Sequence, residues 1–519
     1  LILRNISYVR SIHALAVASV ACVSNAETLL APIFTDHMVF QRDMNLPVWG
    51  SGNPGEHVVV EFNGTTVATT VEKDGKWHVV LPPQIASKTA RELKILASGK
   101  EQLIVQDVIV GEVWLCAGQS NMEFRCAQEA TWATEKLASS HPEIRLHNMA
   151  YAGQGIGAKP YTADIVARQT AERFYDASSW AAVDAKSAAP FSAVGYFFGK
   201  ELRAVLDVPV GIINMSVGGS SAESWIRREA LPSTLTAPDW TANNTHLEPW
   251  CNTRALAQLG ALRDAAPGGE TGPNHAFKPA FLWDAGPARL APFAIRGVLW
   301  YQGESNALSH MDSLNPKWRI DQHAKLFPTL VSDWRKQWRQ GDFPFLVCQL
   351  SSLDQPTREF WPDFRDSQRR MLAEIANLGL AVTSDIGNRS DVHPKNKHDV
   401  GKRLARWALR YTYGEMTALP CPIPVTATRA GSTVNITFQH AGPVLSTSDG
   451  STPASLELAG VDGVFHPATA EIAGSTLRVK SAAIAEPHAV RYGWQPFSKG
   501  NLTNAEGLPA STFLLNVVP

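Results

Sequence analysis

Ser120 stands in the stretch Gly118-Gln119-Ser120-Asn121-Met122, directly after the apolar run at 113–117. A serine lifted out of a sheet by a sharp strand-to-helix turn can attack a carbonyl carbon if a base takes its proton. The plain alternative is a helix cap, a position serine favours. The base on offer is His393, in Asp391-Val392-His393-Pro394, with Asp391 two residues earlier to orient the imidazole. Gly218 and Gly219 let a backbone amide approach a developing oxyanion, and Gln302 and Asn306 add side-chain donors. Glu304 lies between these two. It fits three roles: a second acid for His393, a partner for a sugar hydroxyl, or a member of a structural network.

These residues share one placement. Strand-like runs such as VWLCA, GIINMS, VLWY and LAVTSDIG each end in a polar loop that carries one of them. The runs are almost continuously apolar, as in strands covered on both faces of a parallel sheet. Helix-like stretches at 193–204 and 397–410 lie between or after them. In open parallel sheets, sites form beyond the C-terminal strand ends. The expected fold class is therefore α/β, a doubly wound parallel sheet over 108–415. Alternating strands with turn signals at Asn63-Gly64 and Asp74-Gly75 make 27–107 an expected β domain. Short strands make 416–519 an expected β-sandwich. The stretch 227–290, rich in Pro, Gly and Trp, reads as an elaborated loop with short helices, partly over the site.

The segments GQSNM, WYQGESNA, DVHPKNK and NLTNAEGLPAS together resemble the sialate O-acetylesterase family, SGNH-type serine esterases that remove acetyl groups from sugars. The resemblance runs from Phe34 to the C-terminal region. It implies an SGNH-hydrolase-like core, Ser120 as nucleophile, His393 as base, and oxyanion donors among the loop glycines and the amides of the third loop. One departure stands out. The SGNH pattern places Asp three residues before His, and here that position is Ser390. The implied acid is then Asp391, with Glu304 as the alternative. The implied substrate is an O-acetylated sugar or oligosaccharide. A sialic acid brings a carboxylate, for which Arg125, Arg358 and Arg365 are candidates. Acetylated xylan is neutral and suits an aromatic cleft, for which Trp225 and Trp361 are candidates. A glycan-binding protein with a dead site, and a lipase or thioesterase on the same fold, are the other classes considered.

The bulk numbers agree with a globular protein that has a core. Of 519 residues, 45% are hydrophobic, and 47 Lys plus Arg balance 48 Asp plus Glu, which argues against a nucleic-acid binder. Arg4 and Arg10 before the apolar stretch at 14–23, with small residues up to Ala26, read as a signal peptide at 1–26. Secretion or periplasmic export is expected, with no membrane span in the mature chain. Beyond Cys22, the five cysteines form no C-x-x-C pair, and Cys116 and Cys348 read as core residues. His393 and His398 lack a third ligand partner, so no metal and no cofactor is expected.

Overall fold

The structure, a computed structural model, describes residues 28–236, 239–241, 247, 249–308 and 317–519. The expected signal peptide at 1–26 lies outside them. The chain has a mixed α/β architecture. Its central sheet uses β1 (Ser87–Ala97), β2 (Lys100–Gly118), β3 (His141–Asn148), β4 (Trp180–Val183), β5 (Val210–Asn214), β6 (Gly297–Tyr301), β7 (Phe345–Cys348) and β8 (Leu378–Ala381). The order across the sheet is β4-β3-β5-β2-β6-β7-β8. Along this order all neighbours from β3 to β8 run parallel and the edge strand β4 is antiparallel, while β1, off this order, pairs antiparallel with β2. Strands β5, β6 and β7 are buried along their whole length, which explains their unbroken apolar sequence.

Helices cover both faces. On one, α1 (Ser120–Glu123) is followed by α2 (Ala193–Leu206), whose Phe198 meets Trp114 of β2 edge-on at 5.0 Å. On the other, α3 (Lys317–Trp338) sets Trp334 against Trp300 of β6 at 6.1 Å. The helix expected over 193–204 forms because Ser192 caps it, its hydroxyl accepting the Gly195 amide. Two further helices complete the frame, α4 (Trp361–Arg370) and α5 (His398–Trp407).

Between residues 28 and 107 the described elements are all strands. Asn63 and Gly64 form a two-residue hairpin turn with positive φ at both positions, pairing Phe62 with Thr65. Asp74-Gly75 acts differently from the hairpin expected there. The strand that follows it, Lys76–Leu81, pairs with Leu46–Ser51 in a separate three-stranded sheet. Strand β2 runs without interruption through positions 107 and 108. Its first half pairs with β1 and its second half forms the middle of the parallel sheet. One hydrophobic core consequently joins Val60 and Trp77 to Leu115 and Val298. Beyond residue 416 the elements are again strands, seven of them in one sheet, over their own core of Val434, Leu458, Val479 and Phe513.

Candidate active site

The site begins where β2 turns into α1. Gly118 has φ +127, and a Cβ there would lie 2.3 Å from the Tyr301 carbonyl oxygen of β6. Only glycine allows that close approach. Gln119 is the residue that caps α1: its carbonyl accepts the amides of Met122 and Glu123. Ser120 is the first helical residue, so it is not the cap, and its hydroxyl lies 2.8 Å from His393 Nε2. Two loops separated by 273 residues in sequence thus meet at a serine–histidine pair.

The His393 loop is held from several sides. Asp391 Oδ1 accepts the His393 backbone amide at 2.9 Å and lies 3.5 Å from Nδ1. Its position two residues before the histidine is enough to reach the imidazole. Asp391 and His393 are both partly open to solvent. Burial pulls the His393 pKa below its ordinary value, helped by Lys397 and opposed by Asp391. Both causes that lower it favour the neutral imidazole.

Glu304 sits elsewhere than a triad acid would. It is 5% exposed, and its hydrogen bond runs from Asn121 Nδ2 to Oε1. Burial raises its pKa. Gln302 and Asn306, expected as oxyanion donors, face away from Ser120. Gln302 Nε2 donates to the Ser220 carbonyl and to Asn306 Oδ1, and Asn306 Nδ2 donates to Glu223. Both amides are buried and tie the third loop to the second. The Gly218 amide is also engaged, donating to Tyr151 Oη at 3.2 Å. Gly219, at φ +76, lines the cleft beside Ser120.

A cleft of about 840 Å³ opens over the pair, walled by Tyr161, Trp250, Arg254, Phe277 and Arg358. Several of these come from the short helices and turns of the 227–290 stretch, as expected. A second cleft of about 690 Å³, lined by Arg125 and Lys395, also reaches Ser120 and His393. Trp225 and Trp361 do not face sugar: both are fully buried, their indole N–H groups bonded to Ser220 Oγ and the Ser351 carbonyl. Arg365 is likewise buried, bonded to Ser352 Oγ and the Gly493 carbonyl. Sequence reasoning missed Glu123, whose carboxylate lines both clefts and accepts from Tyr151 and Gln154, its pKa raised by burial. It also gave no role to Asn121 or Lys397, although both fall inside the motifs that carry the resemblance.

Among the described residues no cluster of three or more His, Cys, Asp or Glu side chains is placed to hold a metal ion, and no helix is long and apolar enough to cross a membrane. The family described as carbohydrate esterase, sialic acid-specific acetylesterase matches residues 110–237 and 283–410. Those two segments contain Ser120, Gly218, Glu304 and His393. Sialate O-acetylesterase of Mus musculus is 26% identical over 457 residues, 79% of this chain and 79% of that protein. The Homo sapiens enzyme of the same name is 26% identical over 450 residues, 79% of this chain and 76% of its own. The crystal structure of a carbohydrate acetylesterase from Xanthomonas citri superposes with a TM-score of 0.76 at 32% identity, covering 94% of this chain and 99% of that one.

The chain is therefore a carbohydrate O-acetylesterase, a hydrolase whose substrate is an O-acetylated sugar. Within that class it belongs to the sialic acid-specific acetylesterase family of carbohydrate esterases.

Proposed function

We propose that the chain works as an SGNH-type serine esterase through an acetyl-enzyme on Ser120. The observation that carries this is the 2.8 Å contact between His393 Nε2 and Ser120 Oγ at the floor of the cleft. His393 Nε2 takes the hydroxyl proton as Oγ attacks the acetyl carbonyl. The oxyanion forms beside the amides of Ser120 and Gly219. Ser120 opens α1, where the first N–H groups have no intrahelical partner. His393 returns the proton to the departing sugar oxygen, leaving acetyl-Ser120. Water then gives a proton to His393 and attacks the acetyl carbon, acetate leaves, and the proton goes back to Ser120. Asp391 holds the imidazole with Nδ1 protonated.

The preferred substrate in this proposal is an O-acetylated sialic acid. Arg254 and Arg358 in the wall of the cleft supply positive charge for its carboxylate. A second substrate, an internal acetylated unit of a neutral glycan such as xylan, is favoured by a different observation. The reacting pair lies where two open clefts join, so a chain can extend both ways. Acetate release from O-acetylated sialic acid and from acetylated xylo-oligosaccharide, measured side by side, tests the choice. Faster release from the sialic acid supports the first; faster release from the xylo-oligosaccharide replaces it with the second. Export of the mature chain is part of the proposal, on the strength of the sequence at 1–26. N-terminal sequencing of the exported protein tests it, with cleavage after Ala26 expected.

A further inference from the structure

We propose that Asn121 is the positioning residue that sets His393 against Ser120, and that Glu304 and Lys397 act by orienting the Asn121 amide. This rests on Ser120 and His393 being the reacting pair. Asn121 is fully buried and follows Ser120 directly. Its Nδ2 donates to Glu304 and, at 3.0 Å, to the carbonyl of Val392, the residue before His393. Its Oδ1 accepts from Lys397 Nζ at 2.6 Å. Both N–H groups and the oxygen of the amide are therefore occupied.

The polarity of that amide has a single satisfactory sense. Turned over, its oxygen would face the Glu304 carboxyl and the Val392 carbonyl, and its NH2 would face the Lys397 amino group. The Glu304 carboxyl and the Val392 carbonyl at one end, and the Lys397 amino group, whose pKa burial lowers to about 7, at the other, thus fix which way Asn121 points. Lys397 Nζ lies over the faces of Phe124 and Tyr301, at 4.9 and 5.5 Å, which keep its end in place. Fixing the Val392 carbonyl fixes the peptide plane it shares with the His393 amide, which Asp391 Oδ1 caps on the other side. The residue next to the nucleophile thereby holds the residue next to the base. Displacing a reacting group by about 1 Å can cost about 100-fold in rate. That sensitivity is why a hydrogen bond one residue away from both reacting atoms matters to turnover.

A buried network that served stability alone would show itself in the thermal midpoint and leave the turnover of folded enzyme alone. The test is kcat and KM for p-nitrophenyl acetate, with circular dichroism to confirm folding, for Asn121→Ala, Glu304→Gln and the double variant. Asn121→Ala is expected to lower kcat by about 30- to 100-fold, with KM within about twofold of the parent. Glu304→Gln keeps an oxygen that accepts from Asn121 and is expected to lose no more than about threefold. In the double variant the Glu304 change is expected to add nothing, because Glu304 acts only through Asn121. If Asn121→Ala does not fold, Asn121→Ser carries the same expectation. A folded Asn121 variant within threefold of the parent overturns the proposal. So does a Glu304→Gln loss that persists in full without Asn121. Failure of the serine mechanism itself is seen separately, as undiminished turnover by Ser120→Ala.

Discussion

The two sides of the reacting pair are built on opposite principles. On one side is the Asp391–His393 loop, whose carboxylate and imidazole side chains are 52% and 38% exposed. On the other is the floor, where Asn121, Glu304 and Lys397 are buried and Asn121 is bonded to both of the others. The exposed side holds the groups proposed to move protons, and water there keeps the imidazole able to exchange them. The buried side holds the groups that fix geometry, because hydrogen bonds in a low dielectric are stiff and costly to break. A carboxylate near an active-site histidine therefore need not be its acid. Glu304 is closer to the chemistry in sequence motif than in hydrogen bonding.

Substitutions test this division directly. The largest effect is expected from Ser120→Ala, which removes the attacking atom. Its kcat on p-nitrophenyl acetate falls by about 10⁴-fold or more, with the thermal midpoint near that of the parent. Near-parental turnover would end the division, since the exposed side would hold no nucleophile. Next comes Asp391→Asn, expected to lower kcat by about 100-fold. A loss of less than threefold would take the acid role away from Asp391. A smaller effect is the pH profile. Because the His393 pKa is lowered, the imidazole stays neutral below the usual 6.5, and activity is lost only as pH falls through that lowered value. The acid limb of kcat/KM should therefore have its midpoint below 6.5. Asp391 raises the His393 pKa, so Asp391→Asn should move that limb lower still. An acid limb above 6.5 would contradict the lowered pKa of His393. The smallest effect belongs to Glu304→Gln, whose loss, no more than about threefold, must fall far short of that of Asp391→Asn. Equal losses would erase the contrast between the two sides.

Much of this arrangement was legible in the sequence, for identifiable reasons. Strands covered on both faces leave unbroken apolar runs, and the polar loops after them are conspicuous, so Ser120, Gly219 and His393 could be placed at one edge. The capping of α1 was less legible, because Gln119 performs it with a backbone carbonyl rather than a side chain. The roles of Gln302 and Asn306 could not be read, since an amide in a reactive-looking loop carries no sign of where it points. Asn121 illustrates the same limit. Its partners lie 183, 271 and 276 residues away, and nothing local announces them. The tryptophans expected in a sugar cleft proved to be core, whereas Trp250 and Phe277, from a stretch with no strong periodicity, form the aromatic wall.

Strand β2 has a consequence for anyone who would divide this protein into parts. Because 19 consecutive residues belong at once to the N-terminal strands and to the middle of the parallel sheet, a junction at 107/108 would sever a hydrogen-bonded ladder. A catalytic fragment trimmed there would lose Val39, Val60 and their neighbours and leave the residues that share their core, Val113 and Leu115 among them, without that cover. At the seam near 416 the strands beyond it bury apolar residues of their own, while Ile423 joins the main core and Arg365 and Arg369 reach across to the Gly493 and Leu514 carbonyls. Recombination and shuffling must inherit the N-terminal strands and the esterase sheet together, and a C-terminal part brought in from elsewhere must keep the backbone carbonyls that receive Arg365 and Arg369.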